Sequence, residues 1–329
     1  MRRKILLVTI SLCAISVGFA IAVLIKKVPL VETKQFGVTF SKPFAEKLGL
    51  DWKKNYEEIF TDLGIRHLRI PVYWPEIEPE KGRWVFNDID WQLEKAKEYD
   101  AKVILAIGRK LPRWPECHEP EWAKNLNEEE KQELILEMIK NVIRRYDSHP
   151  AVSTWQVENE PFLPFGECPA FNVKFLDKEI DLVKGLSNKP IIVSDSGEFG
   201  IWLPAAKRAD IFGSTLYRHV WTKLIGHFTY PLPPAFFRLK QSLLKLFIDQ
   251  KPMIVVELQA EPWQQKALYE TSIEEHLVHM NPGRFNKILE YIEGTGFDTF
   301  YFWGVEWWYW LKQNGHPEMW DMAKDAIKM

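Results

Sequence analysis

Eight short strand-like runs, several of them wholly apolar, recur along this chain of 329 residues, most of them stopping at polar, glycine or proline positions. They fall at 36–40, 66–71, 102–107, 152–157, 190–194, 211–215, 253–256 and 299–303. Between them lie stretches with apolar residues at helical spacing, notably 52–63, 88–99, 127–145, 171–184, 233–249, 282–293 and 316–328. Runs this short and this apolar suit strands covered on both faces, as in a parallel sheet. Strands alternating with helices imply βαβ units joined by right-handed crossovers. Eight such units predict an α/β chain folded as a (β/α)8 barrel, which takes about 250 residues plus insertions. We assign the barrel to 36–329 as one domain.

The N-terminus differs from this pattern. Residues 5–25 form an uncharged, almost wholly apolar run flanked by Arg2, Arg3 and Lys4 on one side and Lys26 and Lys27 on the other. A run of about 20 such residues is long enough to cross a bilayer. The basic residues before it favour a cytoplasmic N-terminus. The expectation is one N-terminal transmembrane helix, a signal anchor at 1–27, then a linker at 28–35 and an extracytoplasmic barrel. Cleavage near Ala22 would release a secreted form. Cys13 lies in that span, leaving Cys117 and Cys168, expected in the loops after the third and fourth strands. In an oxidising compartment these two are predicted to form a disulfide, the alternative being two free thiols.

A formal net charge of −2 gives no basic field to attract nucleic acid. Glu275-His276 with His279 has its glutamate before the first histidine, the wrong order for a zinc protease helix. We find no phosphate-binding glycine loop and no nucleophile elbow, and expect neither metal nor cofactor. Fifteen tryptophans, by contrast, supply many flat apolar faces with one polar tip each.

The polar residues that stand out lie at predicted strand ends. Asn159 and Glu160 follow the fourth strand, just before Pro161, and Glu257 follows the seventh. Arg69 ends the second, Tyr217 follows the sixth, and Trp303 ends the eighth, with Glu306 in the aromatic run after it. In a barrel the fourth and seventh strands face each other across the mouth, so the two glutamates are able to converge. A carboxyl beside an apolar wall holds its proton, whereas one beside an arginine stays ionised. That asymmetry lets one act as acid and the other as nucleophile at a glycosidic bond. We assign Glu160 as acid/base and Glu257 as nucleophile.

Together these residues resemble the large clan of retaining (β/α)8 glycoside hydrolases, over roughly Phe36 to Trp310. The likeness is closest to the cellulase-like family 5 and its neighbours. It rests on Asn159-Glu160-Pro161, on Glu257 after Ile254-Val255-Val256, and on Arg69, Tyr217 and Trp303 in their order. Trp74-Pro75-Glu76-Ile77-Glu78-Pro79, with Gly82 and Phe86, also looks like the segment after strand two in these enzymes. Gly108-Arg109-Lys110 stands where many of them carry a histidine. The resemblance implies that Asn159 bonds a sugar 2-hydroxyl, Arg69 and Tyr217 hold Glu257, and Trp303 forms a sugar platform. Glu306 is a further candidate for binding substrate. The expected function is a monomeric retaining glycosidase acting on β-linked oligo- or polysaccharides. Two alternatives share the site: a transglycosylase with an acceptor subsite shaped by Trp307 to Trp310, and a membrane-tethered carbohydrate-binding pseudoenzyme.

Overall fold

In the computed structural model, residues 33–328 are described. The span expected at 5–25 lies outside the described residues, and among those described no helix is long and apolar enough to cross a membrane. Among the described residues ten strands form: β1 (Gln35–Thr39), β2 (His67–Pro71), β3 (Lys102–Ile107), β4 (Val152–Val157), β5 (Ile191–Asp195), β6 (Ile211–Leu216), β7 (His219–Thr222), β8 (Gly226–Thr229), β9 (Met253–Gln259) and β10 (Thr299–Trp303). Eight of them close into a parallel barrel in the order β1-β10-β9-β6-β5-β4-β3-β2, while β7 and β8 form a separate antiparallel hairpin. The expected barrel is present.

Strands β3, β4 and β10 occupy the residues anticipated for them, each rich in β-branched or aromatic residues and ending at glycine or a change to charged residues. The helix after β3 begins where its sequence caps it. The Asn127 side chain accepts from the Glu130 N–H, and the Glu130 carboxylate reaches back to the Asn127 N–H. Likewise, the helix Val173–Leu186 starts two residues later than expected, because the Asn172 side chain accepts from the Lys174 and Phe175 N–H groups.

Strand β9 departs from expectation at a critical point: it continues to Gln259, so Glu257 sits within it. The register explains how a carboxylate fits there. Against β6, Ser214 faces Val255 but Thr215 faces Glu257; against β10, Phe300 faces Val255 but Phe302 faces Leu258. One residue is extra on β9 in both pairings, which is a bulge. The bulge leaves the Val256 carbonyl outside the regular ladder, where Arg69 Nη1 and Thr39 Oγ1 donate to it at 3.4 and 3.3 Å.

The aromatic run after β10 is also not what the sequence suggested. Val305–Gln313 is a helix, and Trp307 and Trp308 are fully buried in it. Trp307 Nε1 donates to His276 Nδ1 and Trp308 Nε1 to the Ala260 carbonyl, so both indole N–H groups are satisfied inside the protein. Residues 307–308 therefore build core rather than an acceptor subsite. Inside the barrel, Ile104, Ile192, Val256 and Tyr301 from four strands make a small apolar cluster apart from the main core.

Candidate active site

Arg69 organises the mouth of the barrel. It sits on β2, is completely buried, and distributes its donors across two other strands, β4 with the turn after it and β9. Nε donates to Gln156 Oε1 at 2.7 Å, Nη2 to Asn159 Oδ1 at 2.7 Å, and Nη1 to Glu257 Oε1 at 2.8 Å. A buried guanidinium needs an anion and acceptors for its fixed fork of N–H groups, and the strand ends supply both. The other Glu257 oxygen accepts from the Tyr217 hydroxyl at 2.8 Å. Because Arg69 can only donate, the Asn159 oxygen must face it, which turns the amide nitrogen away.

Glu160 lies in a different environment. Its backbone is left-handed, with φ of 43°, and Glu158 two residues before it has φ of 57°. Such conformations in non-glycine residues store strain that the surroundings must hold. Here they separate the glutamates. Glu158 turns to the end of β3, where its carboxylate accepts from the Arg109 and Lys110 N–H groups at 2.7 and 2.6 Å. A Cβ on Gly108 would lie 2.4 Å from that carboxylate, so position 108 has room only for glycine. Glu160 is left at the mouth. Its N–H donates to Ser194 Oγ at 3.0 Å, and Lys110 Nζ donates to its carbonyl at 2.9 Å.

The Glu160 carboxyl accepts from Thr215 Oγ1 at 2.9 Å, and Thr215 is the register partner of Glu257 on β6. The two glutamates therefore meet over one residue of the sixth barrel strand. Burial pushes the Glu160 pKa well above the ordinary carboxylic range, and the neighbouring Glu257 and Glu116 carboxylates push it further. Of the two, Glu257 is held by a cation and a phenol, whereas Glu160 has one hydroxyl and two carboxyl neighbours.

Glu116 was not legible as a site residue. It is buried in the loop after β3, and burial, followed by the nearby Glu257 charge, raises its pKa to about 8. Among the described residues its Oε2 has no hydrogen-bond partner. The loop is shaped for this placement. It closes by a bridge between Lys110 and Cys117, has positive φ at Arg113 and Glu116, and Cys117 is disulfide-bonded to Cys168. Thr215, Ser194 and Gln156 were missed for a different reason: each is an ordinary polar residue until a partner from another strand reaches it.

Two of the anticipated residues have partners that the sequence did not reveal. The Arg113 guanidinium is sandwiched between rings, 4.0 Å from the Trp303 centroid and 3.6 Å from that of Phe44. Trp303 is thus stacked by a protein cation on one face, and it packs with Tyr217 and Val220. Glu306, anticipated at the substrate, is instead fully buried as a counter-ion. Its Oε2 accepts from Arg113 Nη2 at 3.0 Å and its Oε1 from the Ser41 N–H at 2.5 Å. The helix beginning at Val305 turns this side chain inward, where burial lifts its pKa to about 7. Glu261 also pairs with Arg113. Asp195 and Glu198, two further carboxylates near strand ends, accept from loop N–H groups at Ser196, Trp202 and Tyr217. Among the described residues no group of three or more His, Cys, Asp or Glu is arranged to hold a metal ion.

A parallel eight-stranded barrel with two glutamates at its mouth defines the class by fold: the chain is a (β/α)8 barrel, and part of it matches a glycoside hydrolase family model. Residues 49–178, which include Arg69, Glu116 and Asn159-Glu160, match the family model described as β-galactosidase. Among solved structures, a cold-adapted β-galactosidase from Rahnella sp. R3 is similar, with a TM-score of 0.59 and 15% identity over 92% of this chain and 57% of that one. The β-galactosidase from Bacillus circulans sp. alkalophilus gives 0.58 and 14% over 82% and 50%. GH5_18 from Bifidobacterium longum subsp. longum gives 0.59 and 15% over 83% and 70%. At these identities the likeness is one of fold. The chain spans about half the length of the two β-galactosidases. Among curated proteins, none matches this chain.

Proposed function

We propose that this protein is a retaining glycosidase that cleaves β-linked oligo- or polysaccharides by double displacement. The observation that carries this reading is the unequal environment of the two carboxyl groups. Glu257 accepts from Arg69 and Tyr217, as an anion would, while Glu160 is buried beside other carboxyl groups and holds its proton.

In the first step, the Glu257 carboxylate attacks the anomeric carbon, the bond to the leaving oxygen breaks, and Glu160 gives that oxygen its proton. The product is a glycosyl ester on Glu257. In the second step, Glu160, now a carboxylate, removes a proton from water as the water oxygen attacks the same carbon and Glu257 leaves. Tyr217 and Arg69 stabilise the Glu257 charge as it is regenerated. The Asn159 amide nitrogen, turned away from Arg69, is the donor for the sugar 2-hydroxyl. Trp303 borders the same sugar.

The names of the similar proteins, β-galactosidases among them, support a β-glycoside as substrate. The apolar segment 5–25 supports a barrel held outside the cytoplasm on a membrane anchor. A panel of aryl β-glycosides followed by NMR of the first-formed sugar tests the chemistry: retained anomeric configuration is expected, and inverted product would overturn it. Protease accessibility of the barrel in intact cells tests its location, with protection from added protease counting against the outside placement.

A further inference from the structure

A cleft of about 570 Å³ opens between the β7–β8 hairpin and the start of the helix Pro282–Ile292. Its wall includes Arg218, His219, Thr229, Arg284, Lys287 and Tyr291, and no acidic residue lines it. The cations Arg109, Arg113, Arg145 and Lys312 each face carboxylates at salt-bridge distance. Among the described residues, Arg218, Arg284 and Lys287 have none.

The unused donors can be counted from the contacts. Arg284 gives one N–H to His219 Nδ1 at 3.1 Å, and Nδ1 also lies 2.8 Å from Thr229 Oγ1. Arg218 spends Nη1 on the Tyr230 and Leu232 carbonyls and rests its guanidinium 4.1 Å over the Tyr291 ring. Lys287 is exposed and makes no contact to a carboxylate among the described residues. Since Arg284 can only donate, His219 Nδ1 must accept, which leaves its other ring nitrogen carrying the proton and without a protein partner among the described residues. Burial, and then Arg284, Arg218 and Lys287, lower the His219 pKa to about 4. Three like charges around one imidazole, none with a carboxylate at salt-bridge distance among the described residues, create a positive potential that an anion would relieve.

We propose that this cleft binds an oxyanion, a sulfate, phosphate or carboxylate group, with Arg284, Lys287 and Arg218 as its ligands and the His219 ring as a further donor. The volume exceeds that of a single ion and falls within the range of small-molecule sites, about 300–1,000 Å³. It accommodates either a free anion or an anionic group on a larger molecule such as an acidic saccharide. The cleft is joined to the glutamate site. Gln259, two residues beyond Glu257 on β9, accepts from the N–H groups of both Arg218 and His219 at 2.8 Å. The binding site stands or falls independently of the glycosidase reading, because its test requires no turnover.

The test is an NMR titration of the His219 ring at pH 6 and constant ionic strength. One arm uses inorganic phosphate; two others use a sulfated galacto-oligosaccharide and its unsulfated counterpart. Saturable shifts are expected with phosphate, together with a rise in the His219 pKa from about 4, because a nearby anion favours the charged ring. Arg284→Gln is expected to weaken binding about tenfold, the effect of one lost charge-assisted contact. Lys287→Ala, an exposed position that leaves folding intact, is expected to weaken it about threefold. Sulfated oligosaccharide binding at least tenfold tighter than phosphate assigns the anion to a saccharide; equal affinities assign the site to the free ion. A response that does not saturate, that sodium chloride reproduces, or that Lys287→Ala leaves unchanged overturns the proposal.

Discussion

The proposed acid, Glu160, is tuned by a hydroxyl whose direction the structure defines. Thr215 Oγ1 accepts from the Gly197 N–H at 3.1 Å, so its own proton points to Glu160 Oε1 at 2.9 Å. Donation favours the ionised form of Glu160 and opposes the upward push from burial. Thr215→Val removes the donor and keeps the shape. A hydrogen bond to a charged group contributes about 1.5–3 kcal/mol, and about 1.4 kcal/mol corresponds to one pKa unit. The Glu160 pKa should therefore rise by about 1–2 units in the variant. Since glycosylation needs Glu160 protonated, the basic limb of kcat/KM against pH should move up by the same amount on a β-glycoside with a poor leaving group. The second step needs Glu160 without its proton, so kcat on a good aryl leaving group should fall at acid pH. Thr215→Ser, which retains the hydroxyl, should restore the wild-type profile. A basic limb that stays in place or moves down in Thr215→Val, or a Ser variant behaving like the Val variant, refutes this role for Thr215.

Four further outcomes are expected. Glu257→Ala should abolish turnover of aryl β-glycosides, with azide restoring part of it as a glycosyl azide of inverted configuration; an inactive protein that azide cannot rescue, or a retained azide adduct, counts against Glu257 as nucleophile. Arg69→Met leaves the buried Glu257 carboxylate without its cation and should lower stability by about 3–5 kcal/mol in urea unfolding, a loss below about 1 kcal/mol being incompatible with the bonding described. Replacing Cys117 and Cys168 together by serine opens a loop spanning 51 residues, for which loop entropy predicts a loss of up to about 4 kcal/mol, measured by the same method under non-reducing conditions. Glu116 has a folded pKa near 8, raised from 4.5, so its contribution to stability is fully present below about pH 4.5 and is lost as pH rises through 8. Glu116→Gln cannot ionise and should lose less stability than wild type between pH 6 and pH 9; equal losses would show that Glu116 is not held protonated.

The barrel was legible because short strand-like runs, most of them rich in apolar and β-branched residues, recur eight times and alternate with stretches of helical spacing. Strand β9 shows where that reading stops. A glutamate after Val256 looks like the end of a buried strand, but the strand continues because a bulge and an arginine from β2 accommodate the charge. Neither is visible within a short window of sequence. The same limit hid Glu116, which sits among proline, arginine and cysteine in what looks like a surface loop. Its position depends on Cys117 reaching Cys168 in the next loop. Trp303 and Glu306 were noticed by position and residue type, while the cation they share, Arg113, belongs to a loop about 190 residues earlier in the chain.

The contact from Arg69 to Glu257 joins residues 188 positions apart, one near the beginning of the barrel and one near its end. A ribosome-bound chain that has emerged only through Pro161 already carries Arg69, Asn159 and Glu160 but not Glu257, and its guanidinium awaits an anion that has not been made. Partial products of synthesis or proteolysis that lack β9 would thus be unstable at Arg69 and would lack the proposed nucleophile. Turnover then reports on completion of the barrel, and a library screened for activity is at the same time screened for closure of the fold.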